Sequence, residues 1–288
     1  MEWRGKQIDI LTDPTRELCV EGAIRAGKTT ACLWKEFNAY VAHPGMFGLL
    51  ARWTDSGVYG LLVPIWREIC HKAGVRPKWH ADEEYDELPN GSRVYIRGLK
   101  TQDATMRYGK FRGLTLSRVF VDQAEEIPED VYLELAGRLS QKGYPHQIVI
   151  APQAVDENHW IAREFPADNT KPERRHIPLS VYDNAHNLDP SVVPALLRIY
   201  PPEHPKHKTL ILGQRGMNVT GVPVYRGAFY RPRHEVPVPF DPALPLLAFD
   251  GGDHMEIDAA IGVVVEQANR ELAGDGLRIA FSDLEAYG

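Results

Sequence analysis

The sequence predicts an α/β fold built on a mainly parallel sheet, and three observations lead to this prediction. Apolar runs of strand length alternate with helical patterns through residues 1–150. A glycine-rich loop joins the first of these runs to the first long helical pattern. The runs are apolar throughout, as expected for strands covered on both faces, and such strands are mostly parallel.

The elements follow in chain order. Glu17–Glu21 is predicted as a short buried strand, and Lys28–Tyr40 as a helix that stops before a His-Pro-Gly sequence. Phe47–Ala51 is predicted as a second buried strand. Ser56–Ala73 has helical spacing, and we expect a kink at Pro64 because proline lacks the N–H that a helix interior needs.

The next elements include a hairpin. Residues 86–99 read DELPNGSRVYIRGL, in which two alternating runs flank an Asn-Gly pair, a strong hairpin signal. Leu116–Asp122 is predicted as a continuous apolar strand and Gln147–Ala151 as another. Between them, Pro128–Leu139 is predicted as a helix with proline in its first turn.

The composition of the chain changes after Phe165. Prolines recur around one predicted helix, Ser191–Tyr200, which suggests a small appended subdomain. A proline-rich stretch at 236–242 is predicted to be a stiff linker, and Leu246–Asp250 begins a new strand. The predicted units are a core of residues 1–175, a lid or linker subdomain of residues 176–237, and a further unit of residues 238–288.

Composition limits the class of protein. The sequence is 43% hydrophobic and 25% charged, which is ordinary for a globular protein. We expect no membrane association, because no apolar run reaches the roughly 18 residues of a membrane span and the N-terminus lacks a signal-peptide pattern. The three cysteines have no metal-ligand spacing, and we expect reduced thiols of a cytosolic protein.

Charge is unevenly distributed. The net charge is -6, but residues 241–288 contain ten acidic and two basic residues, so residues 1–240 carry +2. This asymmetry again suggests two units. Neither unit has the basic excess of a dedicated DNA-binding domain, so any nucleic-acid contact must come from local patches.

The glycine-rich loop carries the strongest motif. Gly22, Gly27, Lys28 and Thr29 fit G-x-x-x-x-G-K-[ST], with a predicted strand before the motif and a helix after it. Glycines let backbone N–H groups approach a triphosphate, and the helix N-terminus adds its dipole. We therefore expect ATP to bind here, with the lysine on the β- and γ-phosphates. The predicted nucleotide-binding residues are Gly22, Ala23, Ile24, Arg25, Ala26, Gly27, Lys28, Thr29 and Thr30.

A magnesium ion at this loop needs a second anchor. Thr29 supplies one hydroxyl, and Asp122 supplies a carboxylate at the end of an apolar strand. An acid in that position is also compatible with a helix cap or a solvated loop. We predict that Thr29 and Asp122 hold Mg²⁺.

The water-activating group is left open by the sequence. The position after Asp122, where a glutamate is usual, holds Gln123, and Glu125 and Glu126 follow. Glutamine cannot accept a proton as a base, although it can orient water. Either Gln123 positions the water, or Glu125 or Glu126 acts as the base, or hydrolysis is weak; we favour Glu125.

Three further polar residues are candidates. Arg25, inside the loop, is placed to sense the γ-phosphate of its own chain. Arg112 precedes the Asp122 strand and is a candidate arginine finger acting on a neighbouring subunit, although a surface ion pair would look the same. Gln7 lies 15 residues before Gly22, and a glutamine there can pair with the adenine edge.

Taken in order, these motifs resemble the large subunit of tailed-phage terminases. The matching segments are Gln7, the loop GAIRAGKT, the LPNGSRVYIRGL hairpin, FRGLTL, VFVDQAEEIPEDVY and QIVIAPQAVDENHWIAREF. The segments SVYDNAHNLDPSVVPALLRIY and GQRGMNVTGVPVY resemble the family's lid. The resemblance covers essentially the whole chain. Gln123 in place of the usual glutamate, and Ala151 where a hydroxyl residue is common, depart from the family pattern.

The resemblance implies a RecA-like ATPase with a lid subdomain, followed by an RNase H-like nuclease. It implies an ATP- and Mg²⁺-dependent motor that moves double-stranded DNA through a pentameric ring, docked on a portal protein and served by a small terminase subunit. The implied location is the cytoplasm of the infected host cell. Asp250 matches the family's first nuclease metal ligand, but the later acidic residues are absent from the sequence, so we expect no competent nuclease.

Two other functions remain open at this point. One is another P-loop ATPase, such as a helicase or remodeller, which would not depend on a capsid portal. The other is a module that binds ATP with negligible turnover, and Gln123 is the residue that favours it.

Overall fold

The computed structural model describes residues 2–100 and 111–216. This part of the chain contains an eight-stranded sheet. The strands are β1 (Glu17–Gly22), β2 (Phe47–Arg52), β3 (Lys78–His80), β4 (Tyr85–Glu87), β5 (Arg93–Gly98), β6 (Arg118–Asp122), β7 (Gln147–Ala151) and β8 (Arg174–Leu179). Their order across the sheet is β3-β4-β5-β2-β6-β7-β1-β8.

The sheet is mainly parallel, as the sequence predicts. The six strands from β5 to β8 in the sheet order run parallel, whereas β4 pairs antiparallel with both β3 and β5. The β4–β5 pair is the predicted hairpin, and Gly91 in its turn has φ 82°. The carboxyl ends of the six parallel strands therefore meet at one edge of the sheet.

Helices and helical turns connect the strands. The α-helices are α1 (Lys6–Thr12), α2 (Lys28–Ala42), α3 (Asp55–Gly57), α4 (Val63–Lys72), α5 (Glu129–Gly137), α6 (Trp160–Glu164), α7 (Val192–Ile199) and α8 (His207–Leu210). A π-helical turn spans Val58–Leu62, and 3₁₀ turns span Ala124–Glu126 and Val181–Asn187. None of the helices in the described part of the chain combines the length and the apolar character needed to cross a bilayer.

Two hydrophobic cores lie on opposite faces of the sheet. Alternate residues of each central strand point to different cores: in β6, Phe120 belongs to one core, while Val119 and Val121 belong to the other. The first core contains residues of α1, α2 and α4, and the second contains residues of α5 and α6. The continuous apolar strands predicted from sequence are thus apolar because both of their faces are covered.

Two elements differ from the prediction. Strand β8 is absent from the predicted elements, and it pairs with β1 along its whole length. The helix predicted for 56–73 is divided: a π-helical turn precedes α4, and Pro64 lies in the first turn of α4. Proline is tolerated in a first turn because its missing N–H would have no helical acceptor there. The predicted linker at 236–242 and the strand Leu246–Asp250 lie outside the described residues.

Candidate nucleotide-binding site

The glycine-rich loop joins the end of β1 to the start of α2, as predicted. Gly22 is the last residue of β1, and a Cβ added there would lie 2.1 Å from the backbone oxygen of Leu179 in β8. Gly27 caps α2 with φ 82°, a left-handed conformation that favours glycine. A side chain at position 22 would therefore clash with the backbone of β8, and position 27 needs a residue that tolerates a positive φ.

The loop presents a row of backbone donors. The N–H groups of residues 25–29 make no hydrogen bond within residues 2–100 and 111–216, and the loop leads into a 15-residue helix. By contrast, the N–H groups of Ala23 and Ile24 donate to Leu179 O (2.8 Å) and Leu210 O (3.1 Å). Consecutive free N–H groups at a helix N-terminus suit an anion such as a phosphate. The loop thus fits the polyphosphate that its motif predicts.

Lys28 folds back over the loop. Its Nζ donates to Gly22 O (2.9 Å) and Ala23 O (2.7 Å). Burial lowers the pKa of the Lys28 ammonium, and the charges of Glu125 and Asp122 oppose that change. The motif lysine is therefore held at the loop between carbonyl oxygens and two carboxylates.

The candidate magnesium ligands meet at this loop. Thr29 Oγ1 donates to Asp122 Oδ1 at 2.7 Å, although β7 separates β6 from β1 in the sheet. Burial raises the pKa of the Asp122 carboxyl, and the Thr29 hydroxyl, Arg52 and Lys28 act in the opposite direction. No group of three or more His, Cys, Asp or Glu side chains suited to a metal occurs in the described ranges. A divalent ion here would therefore depend on Thr29, Asp122 and the oxygens of a bound nucleotide.

The residues after Asp122 form a tight turn at the same edge of the sheet. Gln123 has φ 52° and ψ 50°, and its N–H donates to Ala151 O at 3.0 Å. Glu125 Oε2 accepts from the Gln153 N–H at 3.0 Å, whereas Glu126 is exposed. Burial raises the pKa of the Glu125 carboxyl, and its interaction with Lys28 lowers it by less. Glu125 is thus the partly buried carboxylate of this turn whose charge acts on the loop lysine.

Gln7 lies beneath the loop. Its side chain is fully buried, and its Nε2 donates to Asn184 Oδ1 at 3.0 Å. Asn184 in turn donates to Arg25 O at 2.9 Å. Gln7 Oε1 is buried and has no hydrogen-bond partner among the described residues, while Nε2 is bonded to Asn184, so neither amide group is exposed in this structure.

Other predicted residues are not part of this cluster. Arg25 has φ 57° and an exposed side chain. Arg112 lies in an exposed turn and makes no hydrogen bond or ion pair with Lys28, Thr29 or Asp122. Asp250 lies outside the described residues.

Sequence reasoning missed two polar residues of the site. Arg52, at the end of β2, is buried, and its Nε lies 3.1 Å from Asp122 Oδ2. The signal that identified Asp122, a charge at the end of an apolar strand, is also present at Arg52. Asn184 has no comparable signal, because it lies in a polar segment of irregular structure.

Comparisons with known proteins identify the fold. No protein-family model and no curated protein matches the sequence. Among solved structures, one crystal form of the large terminase from a thermophilic bacteriophage is similar with TM-score 0.64 and 21% identity, covering 74% of this chain and 53% of that chain. The same terminase in complex with ATP-gamma-S has TM-score 0.60 and 21% identity, covering 74% and 52%. The ATPase domain of the Thermus phage P74-26 large terminase has TM-score 0.53 and 15% identity, covering 75% and 94%.

These likenesses show that the described residues have the fold of terminase ATPase domains, which is RecA-like. The chain spans about half the length of the large terminase chains that it resembles. The predicted resemblance is therefore confirmed at the level of the fold.

Proposed function

We propose that this chain is the ATP-hydrolysing motor subunit of a viral terminase, which moves double-stranded DNA into a procapsid. One observation carries the proposal: the free N–H groups of residues 25–29, Lys28 and the Thr29–Asp122 pair converge at one edge of the sheet. Such a set suits a magnesium triphosphate. The ATP-gamma-S complex of a structural neighbour supports the choice of ligand.

The residues have separate roles in this proposal. The loop N–H groups and Lys28 bind the phosphates. Thr29 and Asp122 would hold Mg²⁺, which would supply positive charge to neutralise phosphate oxygens. Glu125 accepts the proton of the attacking water. Its charge interacts with that of Lys28, which places the carboxylate near the phosphate site. Burial raises its pKa, and a carboxylate with a higher pKa is a stronger base. Arg25 senses the γ-phosphate, and Gln7 reads adenine.

The assembled motor requires partners. We propose a ring of identical chains, in which Arg112 of one subunit completes the ATP site of the next. The ring would act on double-stranded DNA together with a portal protein and a small terminase subunit. The exposed position of Arg112 supports this arrangement, since an arginine that serves a neighbouring site must reach beyond its own subunit.

The ATP site is tested by replacing its lysine. We expect Lys28→Ala to lower ATP turnover by roughly 100-fold or more, since a preorganised charge on the transferring phosphate is lost. The matched control is Lys72→Ala, which removes an exposed lysine paired with Glu68. Turnover and calorimetric ATP binding would be measured for both variants. If wild type takes up no ATP, or if the two variants behave alike, the proposal fails.

Gln123 favours a second function, that of an ATP-binding module with weak turnover. This residue occupies the position after Asp122, and its strained left-handed backbone holds it at the site edge. The variant Gln123→Glu separates the two functions. A large gain in turnover would indicate that the native protein is impaired, whereas a loss of turnover would show that the native glutamine contributes to hydrolysis and would support the motor.

A further inference from the structure

A buried arginine lies beside Asp122 at the carboxyl edge of the sheet. Arg52 is the last residue of β2, the strand next to β6, and Asp122 is the last residue of β6. Arg52 Nε lies 3.1 Å from Asp122 Oδ2, and the two side chains are only 6% and 7% exposed. Because β2 and β6 pair in parallel up to the preceding residues, the sheet itself brings this arginine to the predicted magnesium ligand.

The position of Arg52 is fixed by its own surroundings. Its carbonyl oxygen accepts a hydrogen bond from the Leu99 N–H at 2.9 Å, which continues the pairing of β2 with β5. Its Nη1 donates to Gly57 O at 3.4 Å. Gly57 ends the short helix α3, and its N–H donates to the Thr54 side chain, which caps that helix, at 3.2 Å. The guanidinium is therefore held beside α3 and buried there.

The two oxygens of the Asp122 carboxylate face different groups. Oδ1 accepts from the hydroxyl of Thr29, the other predicted magnesium ligand, at 2.7 Å, whereas Oδ2 faces the arginine. The last side-chain torsion of an aspartate is soft, so its carboxylate keeps one orientation only where neighbours hold it. Removal of a group that supports a metal ligand costs about 10–100-fold in metal affinity or activity. Arg52 stands where such a supporting group would be needed.

We propose that Arg52 is a positioning residue for Mg²⁺, which holds Asp122 Oδ2 so that Oδ1 and the Thr29 hydroxyl face the ion together. The inference rests on the proposed ATP site. Arg52 itself touches neither nucleotide nor metal in this arrangement. Its positive charge also repels a cation, so two effects oppose each other. If support of the carboxylate dominates, removal of the arginine weakens metal binding; if repulsion dominates, removal strengthens it.

A second buried ion pair on the same strand supplies a matched control. Arg118 begins β6, and its Nε and Nη2 donate to the two carboxylate oxygens of Glu36 at 2.9 and 2.6 Å. This pair is buried to a similar extent as the Arg52–Asp122 pair. Glu36 lies about two turns beyond Thr29 in α2. Arg118→Gln therefore removes a buried arginine from its carboxylate without altering either predicted metal ligand.

The test measures calorimetric affinity for ATP-gamma-S in Mg²⁺ and again in EDTA. We expect Arg52→Gln to reduce the gain in affinity that Mg²⁺ provides by roughly tenfold or more. Its affinity in EDTA should be close to that of wild type, because the loop N–H groups and Lys28 are intact. Arg118→Gln should keep the full gain. Electron paramagnetic resonance of Mn²⁺ added to the ATP-gamma-S complex reports the metal directly, and binding should weaken only in the Arg52 variant.

Arg52→Lys replaces the glutamine variant if the latter does not fold. Lysine keeps the charge but has a single ammonium group in place of the planar fork of donors, so we expect the Mg²⁺-dependent gain to fall by roughly threefold. Arg118→Lys is its control, with no change expected in the gain.

The inference is overturned if the folded Arg52 variant keeps the full gain or binds metal more tightly than wild type. An equal loss of the gain in the Arg118 variant also overturns it, because the effect then follows from lost stability alone. If wild type binds ATP-gamma-S with no gain from Mg²⁺, the inference fails while the nucleotide site stands. If wild type binds no ATP-gamma-S at all, the proposed function itself has failed.

Discussion

The two oxygens of Asp122 have different partners. Oδ1 accepts from the Thr29 hydroxyl at 2.7 Å, and Oδ2 lies 3.1 Å from Arg52 Nε. Both charged side chains are buried. Burial still raises the pKa of Asp122, so the arginine offsets only part of the desolvation of the carboxylate. Ionisation of the Asp122 carboxyl therefore carries a desolvation cost, which Arg52 reduces.

We expect Arg52→Gln to destabilise the protein by about 3–5 kcal/mol, because removing one partner leaves the other as an uncompensated buried charge. Urea denaturation at neutral pH measures the effect. Arg138→Gln is the control, since it breaks a partly exposed pair with Glu134 that should contribute about 1 kcal/mol or less. Combining Arg52→Gln with Asp122→Asn should recover part of the loss. Equal effects of the two arginine variants would contradict this view of the pair.

The raised pKa of Glu125 predicts how the stability of the protein depends on pH. Burial raises this pKa above the ordinary value of 4.5, so the folded state binds the proton more tightly than the unfolded state. The stabilising effect of protonation is fully present below pH 4.5 and is lost as pH rises through the folded pKa. Glutamine does not ionise, so the Glu125→Gln variant does not lose this stability as pH rises. The variant should equal wild type in urea midpoint at low pH and exceed it at pH 8, while its turnover falls.

Wild-type stability that matches the variant at pH 8 would indicate that the Glu125 carboxylate is not destabilised by burial. The conservative control is Glu126→Gln, an exposed neighbour for which no pH-dependent difference is expected.

At the residue scale, the sequence identifies those site residues that a contiguous motif or a strand end marks. Lys28 and Thr29 occupy fixed positions of one motif, and Asp122 ends an apolar strand. Arg52 and Asn184 act through contacts that exist only after β2, β6 and the 181–187 turn have met. Arg52 also ends an apolar strand and so carries the same signal as Asp122, but no local pattern shows that the two will pair. Asn184 has no such signal, so it could not be assigned from sequence alone.

At the element scale, Asn184 connects three segments. It lies in the Val181–Asn187 turn, accepts from Gln7 of α1 and donates to the carbonyl of Arg25 in the loop. Arg25 itself has a left-handed backbone, which the bond to its carbonyl helps to hold. The conformation of the loop, and with it the direction of its free N–H groups, therefore depends on elements distant in sequence.

We expect Asn184→Ala to cost about 1–3 kcal/mol of stability, because it leaves buried polar groups unsatisfied. It should also weaken ATP affinity by roughly tenfold, equivalent to about 1.4 kcal/mol, since the loop is less well ordered before binding. The control is Asn90→Ala in the hairpin turn, which removes similar bonds to Tyr40 O (2.8 Å) and from the Ser92 N–H (3.1 Å). Calorimetry should show weaker ATP binding for Asn184→Ala alone; a matching loss in the hairpin variant would refute the role of Asn184.

The elements that the sequence predicts correctly are those whose pattern is local. Strands β6 and β7 are apolar throughout, and α2 follows directly from the loop motif. Strand β8 is not predicted from the sequence because it is the outermost strand of the sheet, mixes buried with exposed residues and contains Pro178. An edge strand tolerates proline and charge, so its sequence resembles a loop.

At the scale of the whole molecule, one chain supplies most of the proposed ATP site. The loop, Asp122 and Glu125 gather at the carboxyl edge of the sheet, while Arg112 lies in an exposed turn without a bond to them. Rings of identical subunits form through contacts between two different faces of each chain. If Arg112 serves the next subunit, each active site needs residues from two chains.

Mixing two inactive variants tests this arrangement. Arg112→Ala keeps a complete loop but lacks the finger, and Lys28→Ala keeps the finger but lacks the loop lysine. In a ring assembled from equal amounts of both, roughly a quarter of the interfaces would join an intact loop to an intact finger. We expect the mixture to regain ATP turnover that neither variant shows alone, and to lose it on dilution below the assembly concentration. If Arg112 acts within its own chain, or only as a surface residue, the turnover of the mixture will equal the mean of the two variants at every concentration.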